Sequence, residues 1–175
     1  MELTSGRILL KRLTPEDVTK TYVDWLYDKE VTQFLECRWG VFTEGHLKTY
    51  VKNMSESSEN ILFGIFLKEK KEHIGNIKIG KINYVHKFGD VGLLIGNRNM
   101  WGKGYGTEAI KLVTCHAFKE IKLNKLTAGI YANNVGSYKA FMKAGYEKVG
   151  ILKKQMIYKG YYVDQIIVEK LNVLD

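Results

Sequence analysis

Cysteine, proline and long apolar runs are all scarce in this chain. Cys37 and Cys115 are the two cysteines in 175 residues. They make no metal-ligand spacing and suggest no disulfide framework, so no metal site is expected and a reducing, cytoplasmic setting is. Pro15 is the one proline, and there is no Ser/Gly-rich linker or low-complexity tract, which points to a single domain over 1–175. No apolar stretch approaches the ~18 residues that a membrane span requires. The opening Met-Glu-Leu-Thr-Ser-Gly-Arg lacks the charged-then-apolar order of a signal peptide.

What the chain does have is apolar content and positive charge. Hydrophobic residues make up 45%, enough for one core. The formal net charge is +8, from 27 basic and 19 acidic residues. Such an excess can serve nucleic acid, but these lysines are spread along the chain, with no block of five or six. A solvated basic surface that attracts a polyanionic small molecule is the better reading, and nucleic acid is disfavoured.

The periodicity gives an alternating order of elements. Arg7–Leu13 reads as a first strand. Thr14, Pro15, Glu16 and Asp17 read as a helix start, with Thr at the N-cap, Pro at N1 and acids in the first turn. Val18, Tyr22, Trp25 and Leu26 recur at helical spacing, and Asp28-Lys29-Glu30 breaks the pattern. Val31 to Trp39 is aromatic-rich and ambiguous. Thr43-Glu44 starts a second helix with Leu47, Tyr50, Val51 and Met54 on one face. Ile61–Leu67 and His73–Ile79 read as a hairpin around Glu69–Glu72. Gly89–Gly96 is a strand, Gly106–Ile121 a helix, Leu126–Tyr131 a strand, and Asn134–Lys143 a short helix closed by Gly145. Tyr146–Leu152 and Tyr161–Val168 finish the sheet, joined near Lys159-Gly160. The strand–helix–strand crossover in the middle requires near-parallel strands, and the hairpins require antiparallel ones. A mixed α/β (α+β) architecture follows, with a twisted sheet covered by helices on both faces.

Between the Gly89–Gly96 strand and the next helix runs Trp101-Gly102-Lys103-Gly104-Tyr105-Gly106-Thr107-Glu108-Ala109. Glycine allows positive φ and close approach of a ligand to the backbone. A helix opening there leaves its first N–H groups unpaired at the positive end of its dipole. The combination is an anion site suited to phosphate or pyrophosphate. It is not a dinucleotide fingerprint, because position 107 is Thr, nor a Walker A loop, because Lys103 precedes the last glycines.

The spacing resembles the coenzyme A loop of the GNAT acetyltransferases, [Gln/Arg]-x-x-G-x-[Gly/Ala], with Gly104 and Gly106 at the small positions. Trp101 stands in the Gln/Arg slot, as in the ribosomal-protein (Rim-type) branch. Asn134-Val-Gly-Ser137-Tyr138-Lys-Ala-Phe141-Met-Lys143-Ala-Gly145-Tyr146 resembles a second family segment. Tyr22–Val31 and the ending Lys159-Gly-Tyr-Tyr-Val-Asp164 resemble the same branch, so the likeness spans nearly the whole chain. It implies a GNAT fold, a central twisted mixed sheet of about seven strands flanked by about four helices. The activity implied is direct transfer of acetyl from acetyl-CoA to a primary amine.

By resemblance, residues 101–107 (Trp101, Gly102, Lys103, Gly104, Tyr105, Gly106 and Thr107) hold the pyrophosphate. Asn134, with Ser137, Phe141 and Lys143 on the helix it opens, contacts the pantetheine arm. A main-chain N–H freed where the Leu93-Leu94-Ile95 strand bends polarises the thioester carbonyl. Many members place a Tyr acid where this chain has Phe141, which has no proton to give. Ser137 and Tyr138 are the remaining candidates for protonating the departing thiolate. The absent Tyr also admits an alternative, a non-catalytic acyl-CoA-binding or sensing domain.

The attacking amine must be neutral. An α-amine, with pKa about 7.7–8.0, is partly so at pH 7, whereas a lysine amine near ~10.4 needs a base. Asp90, Glu36, His86 and Asp164 are candidates for deprotonating or positioning it. Trp25, Phe34, Trp39 and Phe42 could form an aromatic wall, and Arg38 suits a phosphate or carboxylate. Glu36, Arg38, Trp39 and Asp164 are accordingly expected to bind the acceptor. The branch suggests a protein N-terminus; amino sugars and polyamines are also acetylated by related sequences. A homodimer is compatible with this reading.

Overall fold

The computed structural model of the protein describes residues 1–173, which contain eight strands and five α-helices. The strands are β1 (Glu2–Thr4), β2 (Ile8–Arg12), β3 (Ile61–Leu67), β4 (His73–Asn83), β5 (Phe88–Ile95), β6 (Lys125–Tyr131), β7 (Glu147–Tyr158) and β8 (Tyr161–Leu171). The helices are α1 (Lys20–Tyr27), α2 (Lys29–Thr32), α3 (Glu44–Glu56), α4 (Tyr105–Lys119) and α5 (Val135–Lys143). All strands join one sheet in the order β1-β2-β3-β4-β5-β6-β8-β7. The β5–β6 pair is parallel and the others antiparallel. This is the mixed topology that the crossover and hairpins demanded.

Helices cover both faces. Ile77 and Ile79 of β4 and Phe63 and Ile65 of β3 are fully buried with Ile110 and Val113 of α4, and Phe141 of α5 joins this core. A second core holds Tyr22 and Trp25 of α1, Leu47 and Val51 of α3, and Leu62 of β3. Burying each such side chain stabilises the fold by about 1.5–3 kcal/mol.

Three local features depart from the sequence reading. The chain after Thr14 forms only a 3₁₀ turn, Pro15–Asp17, before Val18 extends (ψ 102°) and Thr19 caps α1. The Thr14 signal is real, because the Asp17 carboxylate accepts from the Thr14 N–H at 2.9 Å. Lys11 holds the same carboxylate at 2.7 Å, which ties the turn to β2, so the helix starts later. Second, Asp28, read as a break, instead caps α2 by accepting from the Glu30 amide at 2.9 Å. Third, β1 pairs with β2 over Glu2–Lys11 to Thr4–Leu9; a three-residue edge strand carries too little periodicity to be read. Lys159 and Gly160, at φ +47° and +84°, make the tight turn of the β7–β8 hairpin.

The feature that positions the site is a fork. β5 and β6 pair only at Phe88–Lys125, Gly89–Leu126 and Asp90–Thr127. Beyond Asp90, β5 stays on β4 as far as Ile95–Gly75, while β6 stays on β8 as far as Tyr131–Gln165. The two central strands therefore part, and the facing edges of residues 91–95 and 128–131 have no strand partner among the described residues.

Candidate active site

The glycine loop lies just past the open end of β5. Gly102 (φ +73°) and Gly104 (φ +86°) occupy the left-handed region, where an L side chain is strained. The Trp101 indole N–H donates to the Ile95 carbonyl at 2.7 Å and staples the loop to the strand tip. Gly104 is the N-cap of α4, with no side-chain cap, and the first helical bond runs from the Glu108 amide to the Gly104 carbonyl at 3.0 Å. Among the described residues, no hydrogen bond occupies the main-chain N–H groups of 102–107. These donors and the helix dipole make an anion cradle. Among the described residues the Lys103 side chain has no partner, and it is exposed.

Beneath the loop lies a group that the motif does not name. The Arg7 guanidinium stacks over the Tyr105 ring at 4.5 Å and donates from Nη1 to the Lys103 carbonyl at 2.9 Å. Its Nε and Nη2 meet Glu108 Oε2 at 2.9 and 2.8 Å. Glu108 Oε1 accepts from the Arg7 amide at 2.9 Å and from the Ser5 hydroxyl. Burial pushes the Glu108 carboxyl up, but these donors outweigh it and hold the group below its ordinary value.

At the tip of β6, Asn134 caps α5 by accepting from the Ser137 amide at 3.2 Å, and the Asn134 amide donates to the Tyr131 carbonyl at 2.8 Å. Ser137 and Tyr138 therefore sit in the first turn of α5, just past the fork. Neither hydroxyl is hydrogen-bonded among the described residues, and the Tyr138 ring packs against the core. Phe141 is buried edge-to-face on Tyr146 at 5.0 Å, so it serves packing and not the open fork. Lys143, at the far end of α5, is exposed.

The 3₁₀ turn Glu36–Trp39 closes over the same strand tip. The Tyr131 phenol donates to Glu36 Oε1 at 2.6 Å and accepts from Arg38 Nη1 at 2.9 Å. Burial, then the Glu36 bond, pushes the Tyr131 phenol up. Phe34 stacks on Tyr158 at 5.1 Å and packs on Tyr131 at 5.6 Å. The Glu36 side chain stays 72% exposed, whereas that of Arg38 is 13% exposed. Arg38 is bound to the Leu35 and Ile157 carbonyls at 2.8 and 2.6 Å, so its guanidinium is committed to holding this segment on the β7–β8 hairpin. Trp39, 69% exposed, lies under Arg38 at 4.4 Å. Tyr131, which no motif singled out, is the hub of the cluster; its signal was its position at the end of a strand leading into Asn134.

The structure does not bring every expected residue here. Asp90 lies at the closed end of the fork, opposite Thr127. Its Oδ1 is buried without a hydrogen-bond partner among the described residues, and its Oδ2 is 3.9 Å from Lys81 Nζ. Asp90, Lys81, Phe88, Thr127, Gly129 and Gln165 line a recess of about 260 Å³. The Asp164 carboxylate is engaged by Lys153 Nζ at 2.8 Å and the Lys154 amide at 2.9 Å, which splints the β7 bulge. Of the proposed aromatic wall, Trp25 is buried in the second core. His86 is exposed at the β4–β5 turn. Leu93–Ile95 keep regular register with β4, so the freed edge arises because β6 leaves, not because β5 bulges.

A mixed sheet forked beside an uncapped glycine-opened helix presents an open cleft with a row of main-chain donors at its mouth. The family model for the acetyltransferase (GNAT) domain matches residues 7–147, and the chain belongs to that family. It is 30% identical over 155 residues to the protein named "Uncharacterized N-acetyltransferase YnaD" of Bacillus subtilis, covering 88% of this chain and 87% of that one. Among solved structures, the ribosomal L7/L12 alpha-N-protein acetyltransferase RimL in complex with coenzyme A superposes with TM-score 0.90 at 14% identity, covering 100% of both chains. A spermidine N-acetyltransferase from Vibrio cholerae, in complex with CoA and spermine, has TM-score 0.85 at 16% identity over 96% of this chain and 97% of that one. The protein is an acetyl-CoA-dependent N-acetyltransferase. No helix among the described residues is long and apolar enough to cross a membrane.

Proposed function

We propose that the chain acetylates a primary amine, either a peptide N-terminus or a small-molecule amine such as an amino sugar or polyamine, at the open end of the β5–β6 fork. The observation that carries this reading is the unoccupied row of amides at 102–107 beside the parted strands. Those amides and Lys103 hold the pyrophosphate, and Trp101, Tyr105, Gly106 and Thr107 shape the turn. The pantetheine arm takes the place of the missing strand pairing along Leu94 and Ile95 on one side. On the other side lie Asn134, whose Nδ2 has no partner among the described residues, and the first turn of α5.

The acceptor enters over Glu36 and Trp39. Glu36, steadied through one oxygen by Tyr131, offers the other to the incoming ammonium and takes its proton. The neutral amine nitrogen attacks the thioester carbon, and the C–S bond breaks. The thiolate receives a proton from Ser137, with Tyr138 as the neighbouring donor, and that hydroxyl is restored by the proton the nitrogen sheds as it becomes the neutral amide. Asp90 and its recess receive the far end of a longer acceptor. Arg38 and Asp164 contribute by fixing the walls.

Thiol release from acetyl-CoA across a panel of peptides, amino sugars, polyamines and aminoglycosides tests the reading. Turnover with at least one amine class supports it. Tight acetyl-CoA binding without turnover on any class would favour an acyl-CoA-sensing domain. A homodimer is proposed on the exposed Leu152, Ile157 and Tyr161 of the β7–β8 hairpin, and light scattering would reveal a monomer if that is wrong.

A further inference from the structure

We infer that Arg7 and Glu108 are positioning residues for the donor: together they set the orientation of the glycine loop so that its amides face the diphosphate. The inference rests on the reading that the loop binds the pyrophosphate, and adds what keeps it competent to do so.

A loop of left-handed glycines is not pre-organised by its own sequence, because glycine populates many backbone states. Each peptide unit in it also carries a carbonyl, which repels an anion as strongly as the N–H attracts one. In a planar trans peptide the C=O and the N–H point in opposite directions. Fixing the Lys103 carbonyl to one side therefore aims the Gly104 N–H to the other. Arg7 does this fixing: its Nη1 donates to that carbonyl at 2.9 Å, while its guanidinium lies against the Tyr105 ring. A cation on the carbonyl also neutralises the partial charge that a diphosphate would meet.

Arg7 is in turn oriented by Glu108, whose two oxygens receive its Nε, Nη2 and main-chain N–H. Glu108 is in the first turn of α4, where a carboxylate is favoured by the dipole. The Ser5 hydroxyl completes the set. The Glu108 side chain is 17% exposed and that of Arg7 51%, so the carboxylate end of the pair is shielded while the guanidinium still meets solvent. Both ends of the anion cradle, the loop and the helix start, are thus clamped to the β1–β2 turn, about 100 residues away in sequence. Such pre-organisation lowers the ordering cost of binding.

The test compares two donors, acetyl-CoA and S-acetylpantetheine, which carries the same thioester but no diphosphate. Wild type should prefer acetyl-CoA in kcat/KM. In Arg7→Gln that preference should fall about 10–100-fold through KM for acetyl-CoA, with kcat/KM for S-acetylpantetheine and KM for the amine kept. Arg7→Lys, which retains charge but not the fork of donors, should fall between. Glu108→Gln should repeat the Arg7→Gln pattern more weakly, and it supplies the readout if Arg7→Gln does not fold. Equal loss on both donors, or no loss on either, overturns the positioning role. A wild type with no preference for acetyl-CoA instead overturns the pyrophosphate reading beneath it.

Discussion

Gly104 carries the sharpest residue-scale prediction. At φ +86° any L side chain is strained, and a Cβ there would lie 3.4 Å from Arg7 Nη2. Gly104→Val should raise the acetyl-CoA dissociation constant by at least ~10-fold, equivalent to about 1.4 kcal/mol; calorimetry reads it, and unchanged affinity counts against the loop assignment. Ser137, at the tip of the fork, has a hydroxyl with no partner among the described residues, and a general acid contributes typically ~10²–10⁴-fold. Ser137→Ala should therefore lower kcat by about 100-fold with KM for acetyl-CoA little changed. Its amide, not its hydroxyl, is what Asn134 caps, so the substitution leaves the helix start intact. Wild-type turnover would assign the proton to Tyr138 or to water.

At the scale of elements, the docking of α1 depends on a glycine outside the motif. A Cβ on Gly96 would sit 2.0 Å from Trp25 Cδ2, so the indole lies flat against bare backbone at the end of β5. Gly96→Ala should cost about 1–3 kcal/mol by overpacking, and lower Tm by roughly 2–4 °C per kcal/mol. Because α1 leads into the Glu36–Trp39 turn, the same variant should raise KM for the amine more than KM for acetyl-CoA. The sequence marked β3, α4 and α5 closely, since each has a long period or a strong cap. It failed where a side-chain bond overrode the apolar period: Lys11 reaching Asp17 divided the first helix, and Asp28 turned a break into a cap.

For the whole molecule, acid stability follows from buried imidazoles. His73 is held below the ordinary imidazole value, first by burial among Phe66, Trp25 and Tyr22, with bonds to Asn76 and Gly75 opposing. His116 is lowered by burial too. A lowered folded pKa means the unfolded chain takes up protons first as pH falls below about 6.5. Stability should thus be full above that pH and fall below it, until the folded imidazoles themselves titrate. Thermal melts from pH 7.5 to 5 should show this decline, and it should be shallower in His73→Gln; a flat Tm across that range would contradict the assignment.

The sequence by itself determined the alternation of elements, the mixed sheet and the anion-binding loop, because periodicity, caps and glycine spacing are local properties written in consecutive residues. Only the tertiary structure decided where β6 leaves β5, that Arg7 reaches under the loop, and that Tyr131 gathers Glu36 and Arg38. It also withdrew Arg38 and Asp164 into structural bonds, leaving Glu36 open. The contacts of Arg7, Tyr131 and Arg38 join segments some 93–119 residues apart, and no local pattern encodes which partner a charged side chain finds once the sheet has brought its neighbours together.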